Sequence, residues 1–150
     1  MKVRSYTDAD WNSIQEIYDL SKPDELLGSV DLRAFVPLER DLISLRLFRE
    51  CRIVVVEEAG EIRGFGGHCG NYISWLFVHP RHRRRGVART ILHHILSQVP
   101  GTAKLTVFKN NRAARALYRQ FGFEIEREFT GNLNGFQTKA MTLRRDEPCR

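Results

Sequence analysis

The sequence predicts an α/β (α+β) fold in which one mixed β-sheet carries helices on both faces. The apolar residues give helices first, then three strands, a helix, a strand, a helix and two final strands. A helix between two strands forms a crossover, so parallel as well as antiparallel neighbours are expected in the sheet. The 150 residues, 42% of them hydrophobic, suit a single domain covering residues 1–150.

Two helices are predicted in the first third of the chain. A capping signal, Thr-Asp-Ala-Asp at residues 7–10, precedes an apolar face that extends the first helix over about residues 8–20. Pro37 stands at the start of the second helix, whose apolar residues recur at helical spacing as far as Phe48. The segment 21–37 between them is weakly patterned and is expected to be irregular.

The middle of the chain predicts strands. Residues 52–57 and 61–69 flank a turn at residues 58–60, and this pattern is typical of a β-hairpin. Residues 72–78 form a third strand-like run, which a His-Pro pair ends.

The last part of the chain alternates helices with strands. An amphipathic helix is predicted over residues 87–99, a strand over 105–108, and two final strands over about 123–129 and 136–143. A further helix begins behind Asn110 or Asn111, either of which suits the N-cap, and ends at Gly122. The last two strands flank a loop at residues 130–135.

Composition and charge exclude several classes of protein. No apolar run approaches the roughly 20 residues that span a bilayer, and the N-terminus has no signal-peptide pattern, so we expect a cytoplasmic protein without a membrane partner. Cys51, Cys69 and Cys149 are widely spaced, which predicts reduced thiols and no metal site. The net charge of +6 is concentrated in Arg81 and residues 83–85, so a nucleic-acid partner is not expected.

The most informative segment runs from a strand, through a basic turn, into the third predicted helix. The first turn of a helix leaves backbone N–H groups unpaired at the positive end of the helix dipole, so it can hold a phosphate. Gly86 lets the chain approach closely, and Ala88 keeps a nearby position small. Arg83, Arg84 and Arg85 add charge that persists at any working pH. The turn therefore predicts a pyrophosphate site.

Two spaced motifs follow the strands at 72–78 and 105–108. They are Arg83-x-x-Gly86-x-Ala88 behind Leu76-Phe77-Val78-x-Pro80, and Asn111-x-x-Ala114-x-x-x-Tyr118-x-x-x-Gly122-Phe123. Together they resemble the acyl-CoA-binding signature and a second element of the GNAT superfamily of N-acetyltransferases. The resemblance covers about residues 50–143, while the preceding residues match only as two helices.

The resemblance implies a GNAT-like, mostly antiparallel sheet with a further strand at about residues 2–6. Its fourth and fifth strands, 72–78 and 105–108, would form a parallel pair that splays apart. Acetyl-CoA would be the cosubstrate, with its pantetheine arm in the gap and no metal required. The implied contacts are Leu76, Phe77, Val78, Arg83, Arg84, Arg85, Gly86, Val87, Ala88, Asn111, Ala114 and Tyr118.

The resemblance also makes Tyr118 the catalytic residue of an acetyl-CoA-dependent N-acyltransferase. A phenol with a pKa of about 10 can protonate the departing thiolate. The acetyl group would pass directly to the amine through a tetrahedral intermediate. A backbone N–H near Phe77 and Val78 would serve its oxyanion.

The group that deprotonates the amine is less evident. Some members of the family carry a carboxylate or histidine in the middle of the fourth strand, where this chain has Tyr72, Ile73 and Ser74. A water relay touching Tyr72, Ser74 or His68 and the capture of a neutral amine both stay open. Tyr72 and Ser74 are accordingly the predicted substrate contacts.

The acceptor is expected to be a primary amine of a small molecule or a protein. Segments 21–37 and 130–135 would face it, and Asp24, Glu25 and Asp31 would favour a cationic amine. Many members of the family are dimers, so the resemblance is compatible with a homodimer, and the oligomeric state stays open. The alternative is a module of the same fold that binds CoA or nucleic acid without catalysis, against which the two intact motifs argue.

Overall fold

The computed structural model describes residues 1–146, so Cys149 lies outside the described part of the chain. The strands are β1 Lys2–Ser5, β2 Arg52–Glu58, β3 Glu61–Cys69, β4 Tyr72–Val78, β5 Ala103–Phe108, β6 Glu124–Leu133 and β7 Phe136–Arg145. The α-helices are α1 Trp11–Leu26, α2 Leu42–Glu50, α3 Val87–Gln98 and α4 Arg112–Gln120, with short 3-10 helices at Asp8–Asp10, Leu32–Ala34, Leu38–Arg40 and Pro80–His82. These residues include neither a helix long and apolar enough to cross a membrane nor a cluster of three or more His, Cys, Asp or Glu side chains that could hold a metal.

The strands form one mixed sheet in the order β1-β2-β3-β4-β5-β7-β6. Neighbouring strands are antiparallel except β4 and β5, which are parallel and are joined through α3. Helices α1 and α2 cover one face of the sheet, and α3 and α4 cover the other. The predicted fold class, including the strand at the N-terminus and the parallel pair, is confirmed.

Helix α3 packs closely on the sheet because β3 carries a glycine beneath it. A Cβ atom on Gly64 would lie 2.8 Å from Val87 Cγ1 and 3.2 Å from Ile91 Cδ1. Val87, Ile91 and Ile95 are consequently buried, and each such side chain stabilises the fold by about 2 kcal/mol. This packing fixes the N-terminus of α3 beside the end of β4.

Strands β4 and β5 diverge after a short stretch of pairing. The pairs are Tyr72 with Lys104 and Ile73 with Leu105. On the opposite edge of β4, Trp75 pairs with Gly67 whereas Ile73 pairs with His68. Ser74 therefore forms a β-bulge, which bends its strand, at the point where β4 leaves β5. The bend accounts for the predicted splay.

Helix α1 ends at Leu26 rather than at about residue 20, so the prediction of an irregular segment from residue 21 is wrong in its first part. Pro23 lies inside the helix, although a proline removes a backbone hydrogen bond and normally ends one. Tertiary contacts offset this loss. Ser21 Oγ donates to the Val78 carbonyl at 2.9 Å, and the Asp24 carboxylate accepts from Arg83 at 2.7 Å.

Strands β6 and β7 are longer than predicted and replace the expected loop at residues 130–135. Asn134 and Gly135 connect them with φ angles of 50° and 91°, the combination that a tight type I′ hairpin turn requires. Asn134 Nδ2 also donates to the carbonyl of Ala34 at 2.8 Å. The hairpin tip is thereby fixed against the segment that follows α1.

Cys51 and Cys69 form a disulfide, which contradicts the prediction that both are reduced. They stand immediately outside the Arg52–His68 pair of the β2–β3 hairpin, and their Cα atoms are 4.6 Å apart. Antiparallel pairing therefore brings together two cysteines whose spacing in the sequence gave no sign of a bond.

Candidate functional site

A cleft opens where β4 and β5 part. Its inner part is a cavity of about 250 Å³ bounded by α1, β4, β5 and α4. The lining residues are Lys22, Glu25, residues 73–77, residues 106–108, Asn111, Ala114 and Tyr118. An adjoining cavity of about 280 Å³ shares Glu25, Leu76, Phe77 and Asn111 with it and extends to Arg83. We call this continuous groove, from Tyr118 to the basic turn, the β4–β5 cleft.

Strand β4 directs backbone groups into the cleft at alternate residues. His79 N donates across to β3 at 2.9 Å, and backbone directions alternate along a strand, so the N–H and C=O of Phe77 also point to β3. Those of Leu76 and Val78 point to the open side, where Val78 O accepts from Ser21. Phe77 therefore contributes its side chain to the cleft, and Leu76 and Val78 contribute backbone groups.

The turn behind β4 carries a run of free backbone amides. Within the described chain, no amide of residues 83–89 donates to a backbone carbonyl, and the first such bond joins Thr90 N to Gly86 O at 3.0 Å. Gly86 has φ 80°, a left-handed conformation that suits glycine. Val87 is buried and Ala88 half-buried, so both offer the turn mainly their backbone. These amides and the dipole of α3 together favour an anion.

The three arginines of the turn have different surroundings. Arg83 Nη1 lies 2.7 Å from Asp24 Oδ2 at the end of α1. Arg84 has φ 60° and, like Arg85, is exposed. Neither Arg84 nor Arg85 takes part in an ion pair within residues 1–146. Two unpaired guanidinium groups thus stand beside the free amides.

Tyr118 lies on α4. Its side chain is buried in the core and borders the inner cavity of the cleft. The ring packs edge-on against Phe123 with centroids 5.7 Å apart, and the residue keeps 9% of its exposure. Burial raises the pKa of the Tyr118 phenol above its ordinary value, and the Glu25 carboxylate raises it further. The phenol therefore stays protonated at neutral pH and can serve as a proton donor. Ala114, one helical turn earlier, lines the same cavity.

Asn111 caps α4 and also lines the cleft. Its Oδ1 accepts from Ala114 N at 3.2 Å, so Asn111 is the N-cap that the sequence left undecided. Asn110 instead donates to the carbonyl of Gly28 at 2.9 Å. The cap uses only the oxygen of the Asn111 side chain and fixes the orientation of its amide group. The Nδ2 group of Asn111 therefore stays available to donate to a ligand.

The three residues predicted for a water relay occupy different places. Ser74 lines the inner cavity. The Tyr72 hydroxyl is hydrogen-bonded to Thr106 Oγ1, and this contact bridges β4 and β5 at the closed end of the cleft. His68 Nδ1 is hydrogen-bonded to Gly70 O at 2.9 Å in the turn after β3. Only Ser74 of these three lines the cleft.

Helix α1 brings an acid and an amine into the cleft: Glu25, which was predicted to favour a cationic amine, and Lys22, which was not predicted. Glu25 is the only carboxylate among the described residues that line the inner cavity, and Lys22 Nζ lies 3.1 Å from its Oε1. Tyr18, Lys22 and Glu25 recur at the i, i+4, i+7 spacing of one helical face. That spacing is the signal that continues α1 past residue 20, and Pro23 obscured it.

The chain belongs to the GNAT acetyltransferase family. The family model described as "Acetyltransferase (GNAT) domain" matches residues 49–125, which include β2 to β5, both motifs and α4.

Individual proteins resemble the chain in part of its sequence or in its fold. The human cysteine-rich protein 2-binding protein is 38% identical over 55 residues, which are 37% of this chain and 7% of that protein. A GCN5-related N-acetyltransferase from Rhodopseudomonas palustris superposes with a TM-score of 0.85 at 17% identity, over 97% of this chain and 95% of its own. The yncA protein of Salmonella typhimurium, solved with its cofactor acetyl-CoA, superposes with a TM-score of 0.73 at 19% identity, over 100% of this chain and 96% of its own. The two solved structures establish the shared fold.

Proposed function

We propose that the chain transfers an acetyl group from acetyl-CoA to a primary amine in the β4–β5 cleft. One observation carries the proposal: the cleft joins a turn of free backbone amides to a protonated phenol along the part of β4 that has lost its partner strand. A thioester with a diphosphate needs an anion site, a partner for its amide-containing arm and a proton donor near sulfur, in that order. The acetyl-CoA in yncA supports the choice of donor.

The donor is held at three places along the cleft. The amides of residues 83–88 bind the pyrophosphate, with charge from Arg84 and Arg85. The arm lies along β4 and pairs with backbone groups of Leu76 and Val78, as an added strand would. Asn111 Nδ2 donates to the arm from the other side.

The chemical step is a direct attack on the thioester. The amine nitrogen forms a bond to the carbonyl carbon, and a backbone N–H of the open edge of β4 stabilises the oxyanion. The C–S bond then breaks, and Tyr118 protonates the departing thiolate. Tyr118 is in the donor form at neutral pH, as a phenol with an ordinary or raised pKa is.

The acceptor ammonium must lose a proton before its nitrogen can attack the thioester, and Glu25 receives this proton. Its carboxylate lies in the same cavity as the Tyr118 side chain, and its charge also attracts a cationic amine. Ser74 is the other polar group of β4 in this cavity, and it orients the amine or a water that passes the proton to Glu25. The proposed acceptor is thus a cationic primary amine of a small molecule or a protein.

An array of primary amines tests the proposal. The chain is mixed with acetyl-CoA and alkylamines, diamines, lysine derivatives or peptides with free N-termini, and released CoA thiol is measured. At least one cationic class should give release well above the hydrolysis of acetyl-CoA alone. Binding of acetyl-CoA without transfer to any amine would favour a non-catalytic CoA-binding module. A salt-sensitive shift of nucleic acid without thiol release would favour the nucleic-acid alternative.

A further inference from the structure

Lys22 places a primary amine inside the cleft. Its Nζ lies 3.1 Å from Glu25 Oε1 and 5.7 Å and 5.4 Å from the ring centroids of Phe77 and Phe108. The two rings belong to β4 and β5, so the ammonium lies between the two strands where they splay. The side chain is 17% exposed and lines the same cavity as Tyr118.

We propose that Lys22 is an internal acceptor, acetylated by the chain that carries it. This inference rests on the proposed function, which requires an amine on the Glu25 carboxylate, facing a thioester held along β4. Lys22 meets that requirement without a binding step. The ion pair and the two aromatic rings hold the ammonium in place, and an amine fixed beside its electrophile reacts at a high effective concentration.

The reaction balances with the groups already in the cleft. The Lys22 ammonium loses one proton to Glu25, which passes it to water. The nitrogen lone pair attacks the thioester carbonyl carbon, a C–N bond forms, and the C–S bond breaks. Tyr118 protonates the thiolate and is restored by the second proton from the nitrogen. The products are acetylated Lys22, CoA thiol and one proton released to solvent.

Position in the cleft separates Lys22 from the other lysines. Lys2, Lys104, Lys109 and Lys139 are absent from the lining of either cavity. Lys104 and Lys109 form ion pairs with Glu126 and Glu128 on the β5–β6 side of the sheet, at 3.0 Å and 3.2 Å. A transfer that takes place in the cleft therefore modifies Lys22 in preference to these four.

Intact-mass and peptide mass spectrometry on the purified chain, incubated with acetyl-CoA alone, tests the inference. Lys22 should gain one acetyl group at least about tenfold faster than Lys139, with a rate constant independent of protein concentration. Lys22→Arg should remove this product, and Lys139→Arg, its matched control, should retain it. Gly86→Glu, which brings a negative charge to the basic turn proposed to bind the pyrophosphate, should reduce the rate at Lys22 to that of the surface lysines.

A parallel reaction with an external amine separates failure of this inference from failure of the proposed function. Acetylation of the external amine with Lys22 unmodified, or modified no faster than Lys139, overturns the inference alone. A rate at Lys22 that rises in proportion to protein concentration overturns transfer within one chain. Acetylation of neither amine overturns both proposals.

Discussion

Arg83 and Asp24 join the basic turn at residues 83–86 to helix α1 through a contact of 2.7 Å between Nη1 and Oδ2. The contact holds the end of α1 over the open edge of β4, next to the bond from Ser21 to the Val78 carbonyl. It also neutralises part of the charge of Arg83. Arg84 and Arg85 are therefore the arginines of the turn that stay without an ion pair within residues 1–146.

Replacing Arg85 with alanine should weaken CoA far more than a pantetheine fragment without the diphosphate, because its unpaired guanidinium group contacts phosphates. We expect a loss of about tenfold to a hundredfold for CoA, as for a hydrogen bond to a charged group. Calorimetric titration of both ligands measures the difference, with Arg46→Ala on the exposed face of α2 as control. Equal losses for the two ligands would contradict the assignment.

Gly86→Glu should abolish CoA binding, because it brings a negative charge to the phosphate site. A Cβ at Gly86 would meet only Met1 Cε, at 4.0 Å. The free energy of unfolding should therefore fall mainly by the strain of a left-handed residue, about 1 kcal/mol. The control is Gly60→Glu in the β2–β3 turn. Gly60 has φ 77°, so the variant has the same backbone strain, and an added Cβ would meet no atom within 4 Å. Melting temperatures and acetyl-CoA affinities of both variants separate strain from charge. Unchanged affinity in a folded Gly86→Glu would remove this turn from the site.

Tyr118→Phe should lower kcat by about 10²-fold or more, the low end for a lost general acid, with little change in acetyl-CoA affinity. Because the pKa of Tyr118 is raised, its ionisation should produce no fall in kcat as the pH rises to the ordinary phenol value of about 10. Tyr6→Phe, on the other face of the sheet, is the control. A near-normal kcat in Tyr118→Phe would show that solvent, and not Tyr118, protonates the departing thiolate.

Glu25→Gln should lower kcat/KM for the acceptor amine by about 10²-fold or more, since the variant cannot take up a proton. Glu25→Asp should retain part of the activity because it keeps the carboxylate. The control is Glu39→Gln, a change at an exposed residue of a 3-10 helix outside the cleft. Unchanged kcat/KM in Glu25→Gln would assign the proton to another group.

Sequence patterns predicted the elements whose signals are local. The β2–β3 hairpin, α3 and α4 each combine periodic apolar residues with their own turn or cap signals, and all were predicted. The end of α1 depends instead on contacts of Ser21 and Asp24 with distant residues, which override the effect of Pro23. The Asn134-Gly135 turn was locally encoded, and its hairpin signal was overlooked.

Some features of the candidate site could likewise be predicted from local sequence patterns, and others could not. The basic turn and Tyr118 lie in motifs with fixed spacing, so their positions at the two ends of the cleft could be predicted, while their roles stay predictions. The places of Lys22 and Glu25 follow from the length of α1, and the choice of Leu76 and Val78 backbone groups follows from strand pairing. The backbone groups of Leu76 and Val78 have no local signal, whereas the helical spacing of Lys22 and Glu25 is a local pattern that Pro23 obscured. Likewise, the Cys51–Cys69 bond follows from hairpin register.

The most direct test of acetyl transfer in the β4–β5 cleft is a single-turnover reaction with isotopically labelled acetyl-CoA and the best amine of the array. Mass spectrometry follows the label on the amine nitrogen while thiol release is measured in the same sample. We predict one N-acetylated amine for each thiol released, and loss of both in Gly86→Glu. Thiol release without N-acetylated amine, or equal N-acetylation by Gly86→Glu, would contradict the account.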